Sequence, residues 1–181
     1  RDMAIQRLDR AIAAHGGPVR LQKLRKHVQK RKGRLLTGKF GEVDSEQDLK
    51  LDFPERVRLA VKGFTPEGVQ EITVALDGTV GWMKDASGAR ELPAEVIRDI
   101  ADEFRYLRLI TLLPLKDAEF VLRPIKGEPI SGQPTVGIRV ESKDERALNL
   151  YFDEKTNLLV GTLGQLRGSG ILQRHQVIFS D

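Results

Sequence analysis

The residues with most chemistry to offer are few and scattered. The chain has three histidines, His15, His27 and His175, and no cysteine. No two of the histidines share a ligand spacing, and no HExxH pattern occurs. The lack of cysteine removes disulfides, zinc–cysteine sites and thiol nucleophiles together. His15 falls where a helical pattern ends, so its ring can interact with the helix dipole. All three read as structural or solvated histidines. Ser169 stands in Gly168-Ser169-Gly170, but a strand pattern follows it, not the helix that a nucleophile elbow requires. Gly38-Lys39 lacks the glycine spacing and the following Ser or Thr of a phosphate-binding loop. Gly161 and Gly164 lie in a strand pattern, where glycine permits a bend or bulge. Asp99, Asp102 and Glu103 cluster on a helical stretch. A two-carboxylate hydrolase needs its acids across a cleft, and this cluster reads as a solvated face. The expectation is a protein that is not an enzyme, with no metal and no cofactor. A hydrolase with acids gathered from distant segments is the third-ranked reading.

Binding therefore carries more weight than catalysis. The 181 residues carry a formal charge of +4, unevenly placed. Arg20, Lys23, Arg25, Lys26, Lys30, Arg31, Lys32 and Arg34 stand without an acid between them. The other 22 basic and 26 acidic residues sum to −4. The stretch from Arg20 to Arg34 holds no aromatic side chain on which a base could stack, so no nucleic-acid partner is expected. It reads as a solvated edge, or as a surface for a membrane headgroup or an acidic protein.

The second binding feature is apolar. Leu92 to Leu115 is a long helical pattern among short strands. Val96, Ile97, Ile100, Ala101 and Phe104 recur at helical spacing in its first half. Its second half is apolar nearly all round, through Tyr106, Leu107, Leu109, Ile110, Leu112, Leu113 and Leu115. Each such side chain loses roughly 1.5–3 kcal/mol if left in water, so protein or an apolar ligand must cover it. Phe53, Phe64, Trp82, Phe104, Tyr106 and Leu107 fit a plain core. They also fit the wall of a dry cavity, and pattern alone leaves both open.

The elements that position these residues follow from periodicity. Asp2 to Ala14 reads as a helix with Met3, Leu8, Ala11 and Ile12 on its apolar side, stopped by His15-Gly16-Gly17. Pro18 opens a short second helix. From residue 27 the period becomes two, giving about ten short strands around the single long helix. Thr65-Pro66-Glu67-Gly68 and Asp77-Gly78 mark turns. These strands pair as hairpins, which means an antiparallel sheet, sandwich or open barrel. No stretch reaches the roughly 18 apolar residues of a membrane-spanning helix, and the length suits one domain, residues 1–181.

Several stretches in the same order resemble a known superfamily. Phe53-Pro54-Glu55-Arg56-Val57-Arg58-Leu59 resembles its proline segment between two early strands. Leu76-Asp77-Gly78-Thr79-Val80-Gly81-Trp82 resembles its DGxxxW hairpin. Tyr151 to Val160, with Asp153, Thr156 and Leu158, resembles its late D-x-x-T-x-L hairpin, and Ala11 to Gly17 resembles the AxxAHGG of bacterial members. The family is that of the LolA-like and LolB-like periplasmic lipoprotein carriers and sorting proteins. The resemblance implies an α+β fold: a strongly curved antiparallel sheet, an incomplete β-barrel, with an N-terminal helix and one long inserted helix covering the concave face. It implies non-covalent binding or carriage of a lipid or lipoprotein acyl chain, an exported, periplasmic location and a monomer. Residues expected near the ligand are Phe64, Trp82, Phe104, Leu107 and Ile110. The carriers place an arginine directly before the early proline, to latch the helical lid; here that position is Phe53. The chain starts at Arg1 and stops at Ser180-Asp181, where relatives carry more sheet, so the reading expects a fragment missing its last strands. The alternative function is a structural or protein-interaction domain of the same fold with a filled core.

Overall fold

The computed structural model describes residues 2–143, 145–168 and 171–179. Ser169 and Ser180-Asp181, singled out above, lie outside them. The chain divides into two compact units: residues 25–104, and residues 1–24 together with 105–181.

Residues 25–104 form a six-stranded antiparallel sheet followed by a helix. The strands are β1 (Lys26–Thr37), β2 (Gly41–Asp52), β3 (Arg56–Thr65), β4 (Gly68–Asp77), β5 (Val80–Asp85) and β6 (Gly88–Glu91). Each pairs with the next in sequence order, as a chain of hairpins. The turns at Thr65–Gly68 and Asp77–Val80 fall where the sequence marks them. β2 runs for twelve residues, and beyond the turn at Ala86-Ser87 a short β6 pairs back on β5 before the helix.

The register explains how so basic a strand folds. Lys26, Lys30, Lys32 and Arg34 of β1 stand directly opposite Asp52, Asp48, Glu46 and Asp44 of β2. Lys32 Nζ lies 2.7 Å from Glu46 and Arg34 Nη1 lies 2.9 Å from Glu42. The hydrogen bond from Lys32 holds the Glu46 carboxyl below its ordinary range. Opposite charges across strands favour this pairing, so much of the basic stretch is met charge for charge by its neighbour.

Helix α3 spans Ala94–Leu109. The division between the units falls within it, after Phe104. The expected helix to Leu115 stops six residues short. Pro114 has no N–H and disfavours helical geometry at the residue before it. The Thr111 hydroxyl donates to the Arg108 carbonyl at 2.7 Å, Leu112 turns to φ 72°, and a 3₁₀ turn over Leu113–Lys116 follows.

The other unit holds α1 (Asp2–Ala14), α2 (Gly17–Gln22) and a five-stranded antiparallel sheet, β7 (Val121–Lys126), β8 (Thr135–Ser142), β9 (Glu145–Asp153), β10 (Leu159–Gly168) and β11 (Ile171–Ile178). Its core joins Leu8, Ala11 and Ile12 of α1 to Leu112, Leu115, Ile138, Leu150 and Phe152. Ala4 takes the place expected for Met3, which is exposed. Arg7 of α1 donates to the Gly137 carbonyl at 3.0 Å. The structure is thus α+β, with two separate antiparallel sheets among the described residues where one continuous sheet was expected. The run of hairpins is interrupted at α3, and β7 pairs with β8 instead of joining β6.

The D-x-x-T-x-L segment has a local reason. The buried Asp153 Oδ1 accepts from Lys155 N at 3.0 Å, from Thr156 N at 2.7 Å and from Thr156 Oγ1 at 2.8 Å. These bonds, the Thr156 N–H first, hold its carboxyl below the ordinary value near 3.8. A carboxyl depressed in the fold stabilises above its unfolded pKa, and that stabilisation is lost as pH falls through the folded one. Wild type should therefore exceed Asp153→Asn in thermal midpoint at pH 7. The gap should close as pH falls below about 3.8; parallel curves down to pH 2.5 would count against this account.

Candidate functional site

The pairing register sorts the side chains of the six-stranded sheet into two faces, since directly opposed residues share a face. One face is apolar. His27, Leu51, Val57, Leu76 and Gly81 form one row across it, and Gln29, Leu49, Leu59, Val74 and Met83 the next. Val61 and Ile72 continue it. α3 lies against the first row. A Cβ placed on Gly81 would meet Leu76 Cδ2 at 2.5 Å, Ile97 Cγ1 of α3 at 3.0 Å and Leu92 Cδ1 at 3.2 Å, so the absent side chain leaves room for Leu76 and for the start of the helix. Phe53, at the end of this row's strand pair, is held by its N–H on the Arg25 carbonyl at 2.8 Å and by Arg25 Nε on its own carbonyl at 3.1 Å. Its ring sits 4.9 Å from that of Phe104. The position before the early proline therefore touches α3 through an aromatic ring.

Cover fades along the face. Leu49, Leu51, Val57 and Leu76 are buried. Leu59, Val61, Val74 and Met83 are only half-buried, and Ile72 is 42% exposed. An apolar strip thus runs on from the buried row with part of its surface open.

The five residues expected to gather round a ligand do not share one place. Phe64 and Trp82 lie on the opposite, charged face of the sheet and are 44% and 45% exposed. Phe104 is buried against Phe53. Leu107 and Ile110 pack on the core of the other unit. Alternation groups Leu59 with Val61 on β3 and Ile72 with Val74 on β4, and the pairing register sets the two groups side by side on one face. The missing signal was the loop count. Asp77 pairs with Val80, which sets Leu76 against Gly81 and turns Trp82 to the side of Ala75.

The histidines occupy structural positions. His15 Nδ1 lies 2.8 Å from the Ala11 carbonyl, and its Nε2 accepts from Leu159 N at 3.4 Å. His27 meets Gln29 at 2.8 Å. His175 stands edge-on to Tyr106, with ring centroids 5.2 Å apart. The Tyr106 hydroxyl bonds the buried Thr162 hydroxyl at 2.7 Å, and burial pushes its pKa up. No group of three or more His, Asp or Glu stands in metal-binding proximity among the described residues.

No family model matches the chain, and no curated protein does. Among solved structures, a chain of the complex of Pseudomonas aeruginosa MucA and MucB matches with a TM-score of 0.34 and 17% identity. The match takes in 97% of this chain, which spans 55% of the length of that one. No helix among the described residues is long and apolar enough to cross a membrane.

Proposed function

We propose that the protein binds the acyl chain of a lipid or lipoprotein without catalysis, along the strip formed by Leu59, Val61, Ile72 and Val74. In this reading the six-stranded sheet is the wall of an incomplete barrel of LolA-like type, α3 covers part of its concave face, and the protein works as an exported, periplasmic carrier. One observation supports it above the others: the strip continues the buried row of the sheet and yet stays partly open. Each methylene laid on it would contribute about 0.8 kcal/mol. The ring contact between Phe53 and Phe104 would hold the helix where the carriers use an arginine. A membrane surface or protein partner at Arg20 to Arg34 is a subordinate part of the proposal.

The test is retention and rescue. Native mass spectrometry of freshly purified protein, with lipid extraction, should find a bound acyl lipid, and added palmitate should raise the thermal midpoint. Ile72→Lys should weaken palmitate binding at least tenfold, which is about 1.4 kcal/mol. The same change should cost about 1 kcal/mol or less in stability, because the side chain is already 42% exposed. A protein that never retains lipid and ignores palmitate is instead the filled-core interaction domain.

A further inference from the structure

The charged face of the six-stranded sheet carries a feature that acyl binding does not use. Val28, Lys50, Arg58, Ala75 and Trp82 stand in one row across β1 to β5. They run along the floor of a trough of about 510 Å³. The flanking row is neutralised internally: Lys26 meets Asp52 at 3.5 Å and Arg56 meets Asp77 at 3.3 Å. Lys50 and Arg58 differ. They are directly opposed like charges, an arrangement that costs stability. Neither has an ion-pair partner among the described residues. β2 otherwise sets acids on this face, at Glu42, Asp44, Glu46, Asp48 and Asp52, so Lys50 breaks its pattern. Ala75 then leaves a low gap between Arg58 and Trp82, whose backbones lie two strand spacings, about 10 Å, apart. Trp82 is 45% exposed at the far side.

We infer that this trough is a binding site for a small aromatic carboxylate. The carboxylate takes the Arg58 fork, which matches its geometry in a bidentate way, and the Lys50 ammonium beside it. The ring lies over Ala75 against the Trp82 indole, where offset or edge contacts between aromatic rings add to buried area. Asp52 and Asp77 at the rim leave two uncompensated cations, which suits a ligand of low negative charge.

Trp82 is the single tryptophan of the chain, so its indole N–H resonance in a ¹⁵N–¹H correlation spectrum reports this site alone. Titration with 2-naphthoate should shift that resonance saturably, and 500 mM salt should weaken the response several-fold. The neutral 2-naphthamide should bind at least tenfold more weakly. Arg58→Gln and Lys50→Gln, at exposed positions, should each weaken 2-naphthoate binding by about tenfold with the rest of the spectrum unchanged and a thermal midpoint no lower than wild type, since each relieves the opposed like charges. Equal binding of amide and acid overturns the proposal, as does wild-type affinity in both variants. A resonance that ignores 10 mM 2-naphthoate but broadens on phosphatidylglycerol vesicles overturns it in favour of a membrane surface. Palmitate binding at the opposite face is read separately, so the two proposals fail independently.

Discussion

Gly127→Ala should destabilise the protein by about 3 kcal/mol or more, read as a lower urea midpoint at unchanged slope. A Cβ on Gly127 would lie 1.7 Å from the Thr135 carbonyl oxygen and 2.3 Å from its carbon. Those atoms are backbone, so no rotamer change relieves the overlap. The segment carrying Thr135 would have to move, and it is tied on several sides. Thr135 Oγ1 donates to the Glu128 carbonyl at 2.7 Å, Thr135 pairs with Asp153, and Glu154 N donates to the Pro134 carbonyl at 3.2 Å. Each hydrogen bond lost contributes about 1 kcal/mol, and the displacement also disturbs the buried turn at Asp153. Lys126→Ala, one residue earlier and exposed, should stay within about 0.5 kcal/mol. A Gly127→Ala protein within 1 kcal/mol of wild type would show that this close approach is not maintained in solution.

Phe104→Ala should cost about 3–5 kcal/mol. The ring is 6% exposed and lies 4.9 Å from Phe53, itself 4% exposed, at an interplanar angle of 35°. Truncation leaves a cavity beside a partner that cannot follow, because Phe53 is fixed through both its N–H and its carbonyl to Arg25. A double-mutant cycle with Phe53→Ala should give a coupling of about 0.5–1.5 kcal/mol, the usual range for an aromatic pair. The buried ring also places Phe104 in the core rather than on the open strip. Palmitate affinity should therefore fall no further than stability does. A selective loss of binding would move the ligand site to the Phe53–Phe104 contact.

Much of the architecture is written in short-range signals. The Gly16-Gly17 stop, the turn at Thr65–Gly68 and the Asp77-Gly78 hairpin depend on a few adjacent residues, and the structure places each as read. The D-x-x-T-x-L segment is local too, since Asp153 gathers its three donors within three residues. What escaped the sequence depends on pairing over distance. β6 and β7 belong to different sheets, with α3 between them in the chain, and neither strand's composition marks that break. The end of α3 was hidden by apolar residues that pack equally well in a helix or in the 3₁₀ turn at Leu113–Lys116. The candidate strip was half visible. Alternation set Ile72, Val74 and Leu76 on one side, but placing Trp82 on the other needed the two-residue loop to be counted through. The exposure of Ile72 depends on where cover ends, which no periodicity records.

Strand β1 stands at the edge of its sheet, with twelve residues and one strand partner. Such an edge is a template on which another chain can add itself. Two copies meeting there would bring Lys26, Lys30, Arg31, Lys32 and Arg34 against the same five cations. The acids of β2 sit one strand further in, so they offset part of this charge but stand farther from the incoming copy than the cations do. The same arrangement that lets a basic strand join the sheet also repels its own likeness at the rim, and should keep concentrated protein from growing edge to edge into fibres.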